Sequence, residues 1–185
     1  MSLKIIQAKP NPAGKEHRKE NSKDQDGYES TALEAQKFAS VYLGEWVDVK
    51  NVGEDAVNFQ TMQLRHALFD NECHTIGEME LIWIGDIRES LKPGQVLRVH
   101  GGRRETAHLM AQEDHDGADW HGYAEKDNFI LNNRCGDKIV VSWHDDAERI
   151  QSDWVCYPPH PPENLILQRS GNLLTGPGPN VELIN

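Results

Sequence analysis

Two stretches of this chain carry the Asp-x-Asp-Gly pattern that hard cations favour. One is Asp24-Gln25-Asp26-Gly27, and the other is Asp114-His115-Asp116-Gly117. Calcium binds six to eight oxygens, and a glycine lets the backbone turn sharply around the ion. A full EF-hand loop also needs a ligand two residues before the first of these Asp and a Glu at its twelfth place. Here those positions hold Ser22 and Leu33 in the first loop, and Gln112 and Tyr123 in the second. Asp24, Asp26, Asp114 and Asp116 are therefore candidate calcium ligands, and the competing reading is a pair of solvated Asp/Gly turns. Trp120 and Tyr123 follow the second loop in Trp120-His121-Gly122-Tyr123. Their rings could stack on a sugar or anchor the loop. Together with the acidic loops they define one functional alternative, a calcium-dependent carbohydrate-binding module.

A second group is basic. Arg98, His100, Arg103 and Arg104 gather around the end of "LRVHGGRR". Guanidinium forks of this kind receive phosphate or an acidic peptide. The alternative is a strand face and loop balanced by Glu105, Glu113 and Asp114. Nine histidines are scattered without an H-x3-H pair and without CxxC, so no zinc pattern emerges. The catalytic signatures G-x-S-x-G, H-E-x-x-H and the phosphate-binding P-loop do not occur. A non-catalytic binding or scaffold role is the expectation.

Composition narrows the partner. The chain has 185 residues, a formal charge of −11 and an apolar share of 37%. That length suits one domain. The excess of acid argues against general affinity for nucleic acid, which is built from Lys and Arg neutralising phosphates, so a protein partner is favoured. No apolar run approaches the roughly 20 residues of a membrane-spanning helix. No secretory leader is visible in Leu3, Ile5 and Ile6. With Cys73, Cys135 and Cys156 odd in number and outside any CxxC, reduced thiols and a cytoplasmic setting are expected. If "MSL" replaces a natural start, localisation stays open.

These residues must be positioned by strands. "LKIIQAK" reads as a first strand closed by Pro10, Pro12 and Gly14. Ala35, Phe38, Ala39 and Tyr42 recur at helical spacing, with Thr31 and Glu34 as a capping box, which predicts one helix over 31–43. Beyond it the period is two. Val47 and Val49 face one side, and Asp48 and Lys50 the other. Residues 51–55 make a turn, and Val57, Phe59, Met62 and Leu64 resume the apolar face as a hairpin-like return. "MELIWIGDI" is apolar on both faces and reads as an interior strand. Pro93-Gly94 is a type II turn pair leading to Leu97 and Val99. Ile139, Val141 and Trp143 share a face before an acidic turn at residues 145–148, and "RIQSDWVCY" and "NLILQR" follow. "PPHPP" cannot join a ladder.

The ordered set "GEWVDVKNVGEDAVNFQTMQLR", "LKPGQVLRVHGG" and "LNNRCGDKIVVSWHDDAERIQSDW" resembles the lamin tail domain. That family is found at the end of nuclear intermediate-filament proteins and in bacterial and archaeal proteins. The resemblance covers most of residues 3–169. It implies an all-β fold, an immunoglobulin-like β-sandwich, here with one inserted helix. It implies a single domain over 3–169 with an insertion at 17–43 and a long loop at 103–127, followed by a loose tail at 170–185. It also implies recognition of another macromolecule through loops and sheet edges; Arg98, His100, Arg103, Arg104, Trp120 and Tyr123, read from residue chemistry alone, are the candidate contacts. The chain departs from the family pattern in its insertion and in Gln60-Thr61-Met62, where members often carry Ser-Gly-Trp.

Overall fold

The computed structural model describes residues 2–13 and 32–176. The fold is all-β. Twelve strands occur among the described residues, and ten of them form one continuous sheet in the order β5-β4-β9-β10-β12-β11-β1-β2-β7-β8. The strands are β1 (Leu3–Lys9), β2 (Trp46–Asn51), β3 (Val57–Asn58), β4 (Gln63–His66), β5 (Glu80–Ile84), β6 (Ser90–Leu91), β7 (Val96–His100), β8 (Trp120–Tyr123), β9 (Asp137–His144), β10 (Ile150–Tyr157), β11 (Leu167–Ser170) and β12 (Leu173–Thr175). The remaining pair, β3 and β6, forms a small antiparallel ladder. The helix α1 spans Ala32–Leu43, and a single-turn helix α2 spans Gln112–His115.

The sheet rolls until its two ends meet, and the apolar core fills the interior. Leu3, Val47, Val49, Phe59, Leu64, Leu97, Val99, Ile139 and Val141 are among its fully or almost fully buried members. Alternation decides this: in β9 every second residue from Asp137 to Trp143 is buried, and the residues between are not. At the seam, Trp83 of edge strand β5 lies on Gly122 of edge strand β8. A Cβ at residue 122 would stand 2.8 Å from the indole Nε1, so only glycine allows the approach. Lys126 reinforces the closure by donating to the Glu80 carboxylate at 2.6 Å and to the Leu81 carbonyl at 3.2 Å.

Several expectations are met. Val57, Phe59, Met62 and Leu64 are buried, and the kink between them is a 3₁₀ turn over Phe59–Thr61, capped by Asn58. Gly94 takes φ +82, the value a type II turn requires at its third residue. The predicted helix is present as α1, with Tyr42 buried; the capping residue Thr31 lies outside the described residues.

Four expectations are corrected. The stretch 43–64 is not a hairpin, because β2 pairs with β1 and β7 while β4 pairs with β5 and β9. The turn at residues 51–55 carries the chain across the core, held by Asn51 Nδ2 donating to the carbonyls of Asp55 and Leu91 at 2.8 Å. Strand β5 is an edge strand, not an interior one: Ile82 and Trp83 are buried in the core, while Ile84 stands 51% exposed. The segment from residue 170 begins as structure: Leu173–Thr175 is a strand between β10 and β11. Finally, Cys73 and Cys135 form a disulfide across 62 residues, leaving Cys156 as the free thiol. The expectation of reduced thiols fails because β4 and β9 are neighbours, which brings the loops beside them together.

Candidate functional site

Strands β1, β2 and β7 turn Gln7, Lys9, Trp46, Asp48, Arg98 and His100 away from the apolar core, yet most of these side chains do not reach water. The segment between β7 and β8, which contains a 3₁₀ stretch over Arg104–Leu109 and then α2, folds back over them beside α1. Asp48, Arg98 and His100 are at most 2% exposed, and Lys9 and Asp114 are at most 5% exposed. A layer of charge is thus sealed between the sheet and its cover.

Burial of a charge is tolerated only with a partner, and each one here has it. Arg98 grips Asp48 through two parallel bonds of 2.7 Å, from Nε and Nη2. Its Nη1 donates to the carbonyls of Asp114 and Asp116 at 2.9 Å, and the guanidinium sits 3.7 Å from the centre of the Trp46 ring. Lys9 Nζ donates to Asp114 Oδ1 at 2.7 Å, and Trp46 Nε1 donates to the same oxygen at 2.8 Å. A cavity of about 260 Å³ opens beside this pair, lined by Lys9, Ser40, Gly44, Glu113 and Asp114 among others.

Next to the ion pairs the rings of His115, His121, His100 and Tyr123 form a stack, with centroid separations of 4.5, 5.2 and 5.5 Å. The hydrogen bonds fix the tautomers. His100 Nδ1 donates to the Leu43 carbonyl at 2.7 Å, because a carbonyl can only accept. Neutral His100 therefore accepts at Nε2, and His121 Nδ1 donates to it at 2.9 Å. Nε2 of His121 is left as a buried lone pair with no partner among the described residues. Neutrality follows from position. Burial lowers the His100 pKa from 6.5 to about 3, aided by the charges of His121, Arg98 and His115. Burial, then His115 and Arg98, lowers that of His121 to about 4.

The sequence-derived candidates separate. Arg98 and His100 lie in the covered layer and are spoken for by Asp48 and Leu43. Arg103 and Arg104 reach the surface, where Arg103 is forked onto Asp127 at 2.7–2.8 Å and Arg104 reaches Asp86 at 2.5 Å and lies over Tyr123. The four basic residues therefore do not converge on one open site. Trp120 is half-buried, edge-on to Phe59, with Nε1 donating to Gln95 at 3.2 Å. The carboxylate of Asp114, a candidate calcium ligand, accepts from Lys9 and Trp46 inside the protein. Asp116 stands at the surface and accepts from Gln112 at 2.6 Å. Asp24 and Asp26 lie outside the described residues. Among the described residues, no group of three His, Cys, Asp or Glu is placed to hold a metal ion.

Two features escaped the sequence reading. His66 is clamped between carboxylates, with Nδ1 2.9 Å from Asp137 and Nε2 3.4 Å from Glu80. Burial alone would lower its pKa, but the bonds and charges of Asp137 and Glu80 together outweigh it and the pKa is raised. The second is an open sheet face. Trp154 and Ile150 on β10 and Leu173 on β12 are 41%, 73% and 45% exposed. The signal was present in Ile150-Gln151-Ser152-Asp153-Trp154, where Ile150 and Trp154 take outward positions of an alternating strand on either side of Ser152.

No family model and no curated protein matches this chain. Among the described residues, no helix is long and apolar enough to cross a membrane.

Proposed function

We propose that this protein is a non-catalytic macromolecule-binding or scaffold module whose partner is another protein. Its fold in finer description is the immunoglobulin-like β-sandwich that the lamin tail resemblance implies, with β5-β4-β9-β10 on one side of the core and β1-β2-β7-β8 on the other. The observation that carries the reading is the outer face of β9 and β10, where Trp154 and Ile150 stand in solvent with Leu173 of β12 beside them. Large apolar side chains left in solvent on a folded domain mark an interaction site, and exposed Trp is the residue type most often dominant in binding energy. The buried ionic pairs support the same reading from the other side. Arg98 with Asp48, Lys9 with Asp114 and His66 with Asp137 each hold two elements together, which is a scaffold's use of charge.

The test is affinity capture from the source lysate with the wild-type protein and with Trp154→Ser, followed by identification of what is retained and nuclease treatment of the eluate. A protein retained by the wild type and lost with Trp154→Ser supports the reading. Retention unaffected by Trp154→Ser, or retention abolished by nuclease, overturns it.

A further inference from the structure

The exposed face has a second property that bears on its partner's chemistry. The outward positions of β4, β9 and β10 carry no carboxylate, in a chain with 30 acidic and 19 basic residues. Trp154 pairs across the ladder with Val140, and Val140 with Arg65. One step along, Cys156 pairs with Lys138 on one side and with Leu173 on the other. The Lys138 Nζ stands 5.1 Å from the centre of the Trp154 ring. Arg65 donates to Gln63 and to the Met79 carbonyl. Neither cation has a carboxylate partner among the described residues, and both stand on the face that carries Trp154.

From this we infer that the outer face of β4-β9-β10-β12 docks a protein segment that is largely apolar and carries one or two carboxylates, set to meet Lys138 and Arg65 while its apolar side chains cover Trp154, Val140 and Leu173. The inference rests on the protein-binding reading above and adds the partner's chemistry. A second copy of this chain fits poorly. Face-to-face packing about a two-fold axis would bring Lys138 and Arg65 of both copies into one interface whose outward strand positions offer no carboxylate. A nucleic acid fits poorly as well, because two cations on a molecule of charge −11 make no continuous track for phosphates. A neutral apolar segment would cover two cations without pairing them, which costs desolvation that a carboxylate offsets.

The probe is a displayed random-peptide library selected on the immobilised protein, in parallel with Trp154→Ser and Lys138→Glu. Both substitutions are at exposed or partly exposed positions outside the core, and an unchanged melting curve verifies folding. The expected result is enrichment of sequences that place Asp or Glu beside aliphatic or aromatic residues, lost on both variants. A synthetic copy of an enriched peptide then shifts the Trp154 indole NMR signal, and its Glu→Gln twin binds roughly tenfold more weakly. Enriched sequences without acid, or binding indifferent to Lys138→Glu, overturn the carboxylate requirement while leaving a Trp154-dependent protein site. Absence of any Trp154-dependent enrichment overturns the docking face, as does an oligo-dT or a concentration-dependent dimer that perturbs Trp154 instead. Failure of the broader reading shows separately, as lysate capture that Trp154→Ser does not change.

Discussion

Trp83 and Gly122 close the sheet: the indole of one edge strand rests directly on the backbone of the other, with room for a hydrogen at residue 122 and not for a methyl group. Residues 39 positions apart in sequence thus join the two ends of a ten-stranded sheet. Gly122→Ala should open this seam. A Cβ within 3 Å of a buried ring forces either strand to shift, an overpacking cost of about 1–3 kcal/mol. Chemical denaturation of the variant against wild type measures it.

The Arg98–Asp48 pair should show the asymmetry of buried ions. Asp48→Asn or Arg98→Met leaves one charge uncompensated under the cover of residues 101–119 and should cost about 3–5 kcal/mol. The double variant Asp48→Leu with Arg98→Met removes both charges and should recover much of that loss. A double-mutant cycle by urea unfolding gives the coupling directly.

Asp114 distinguishes an internal ion pair from a cation site. Asp114→Asn weakens the hold on Lys9 and should lower the melting temperature equally with and without millimolar calcium. Calcium-dependent protection of the wild type that Asp114→Asn abolishes would favour the metal reading. Differential scanning calorimetry at matched ionic strength makes the comparison.

Histidines push stability in opposite directions with pH. The His66 pKa is raised in the folded state, so its contribution is fully present below its unfolded value of about 6.5 and is lost as pH rises through the folded pKa. His100 and His121 are depressed to about 3 and about 4, so the folded state resists protons that the unfolded chain accepts. Stability therefore falls as pH drops from about 6.5 towards those values. In a series of unfolding curves from pH 4 to 8, His66→Gln should flatten the decline as pH rises above about 6.5 and lower the curve below that by a nearly constant amount.

The disulfide should stabilise chiefly through the unfolded chain. Closing a loop of this length gives about 4 kcal/mol in the chain-entropy account, and Cys73→Ser should lose stability of that order. The wild type under a strong dithiol reductant should fall to the same value, and the variant should not respond to reductant. Agreement between the two denaturation midpoints checks it.

What was legible in the sequence is what local periodicity encodes. Alternation placed Val47 and Val49, and Ile139, Val141 and Trp143, on inward faces, because side chains in a strand project to opposite sides by geometry alone. Turn chemistry placed the breaks at residues 51–55, 93–94 and 145–148, since Asn, Asp and Gly supply the hydrogen bonds and φ values that turns need. The apolar spacing of Ala35, Phe38, Ala39 and Tyr42 placed α1.

Tertiary structure decided what covers each face. Asp48 and Trp154 both lie on outward positions of alternating strands. Asp48 became buried because residues 101–119 fold back over β2 and β7, and Trp154 stayed in solvent because nothing described folds over β10. No local pattern distinguishes the two, since cover is supplied by elements far away in the chain. For the same reason the hairpin-like stretch is a crossing between two parts of the sheet, the doubly apolar β5 is an edge, and Cys73 meets Cys135. Pairing partners are chosen by the closure of the whole sheet around one core, and that closure is a property of all ten strands together.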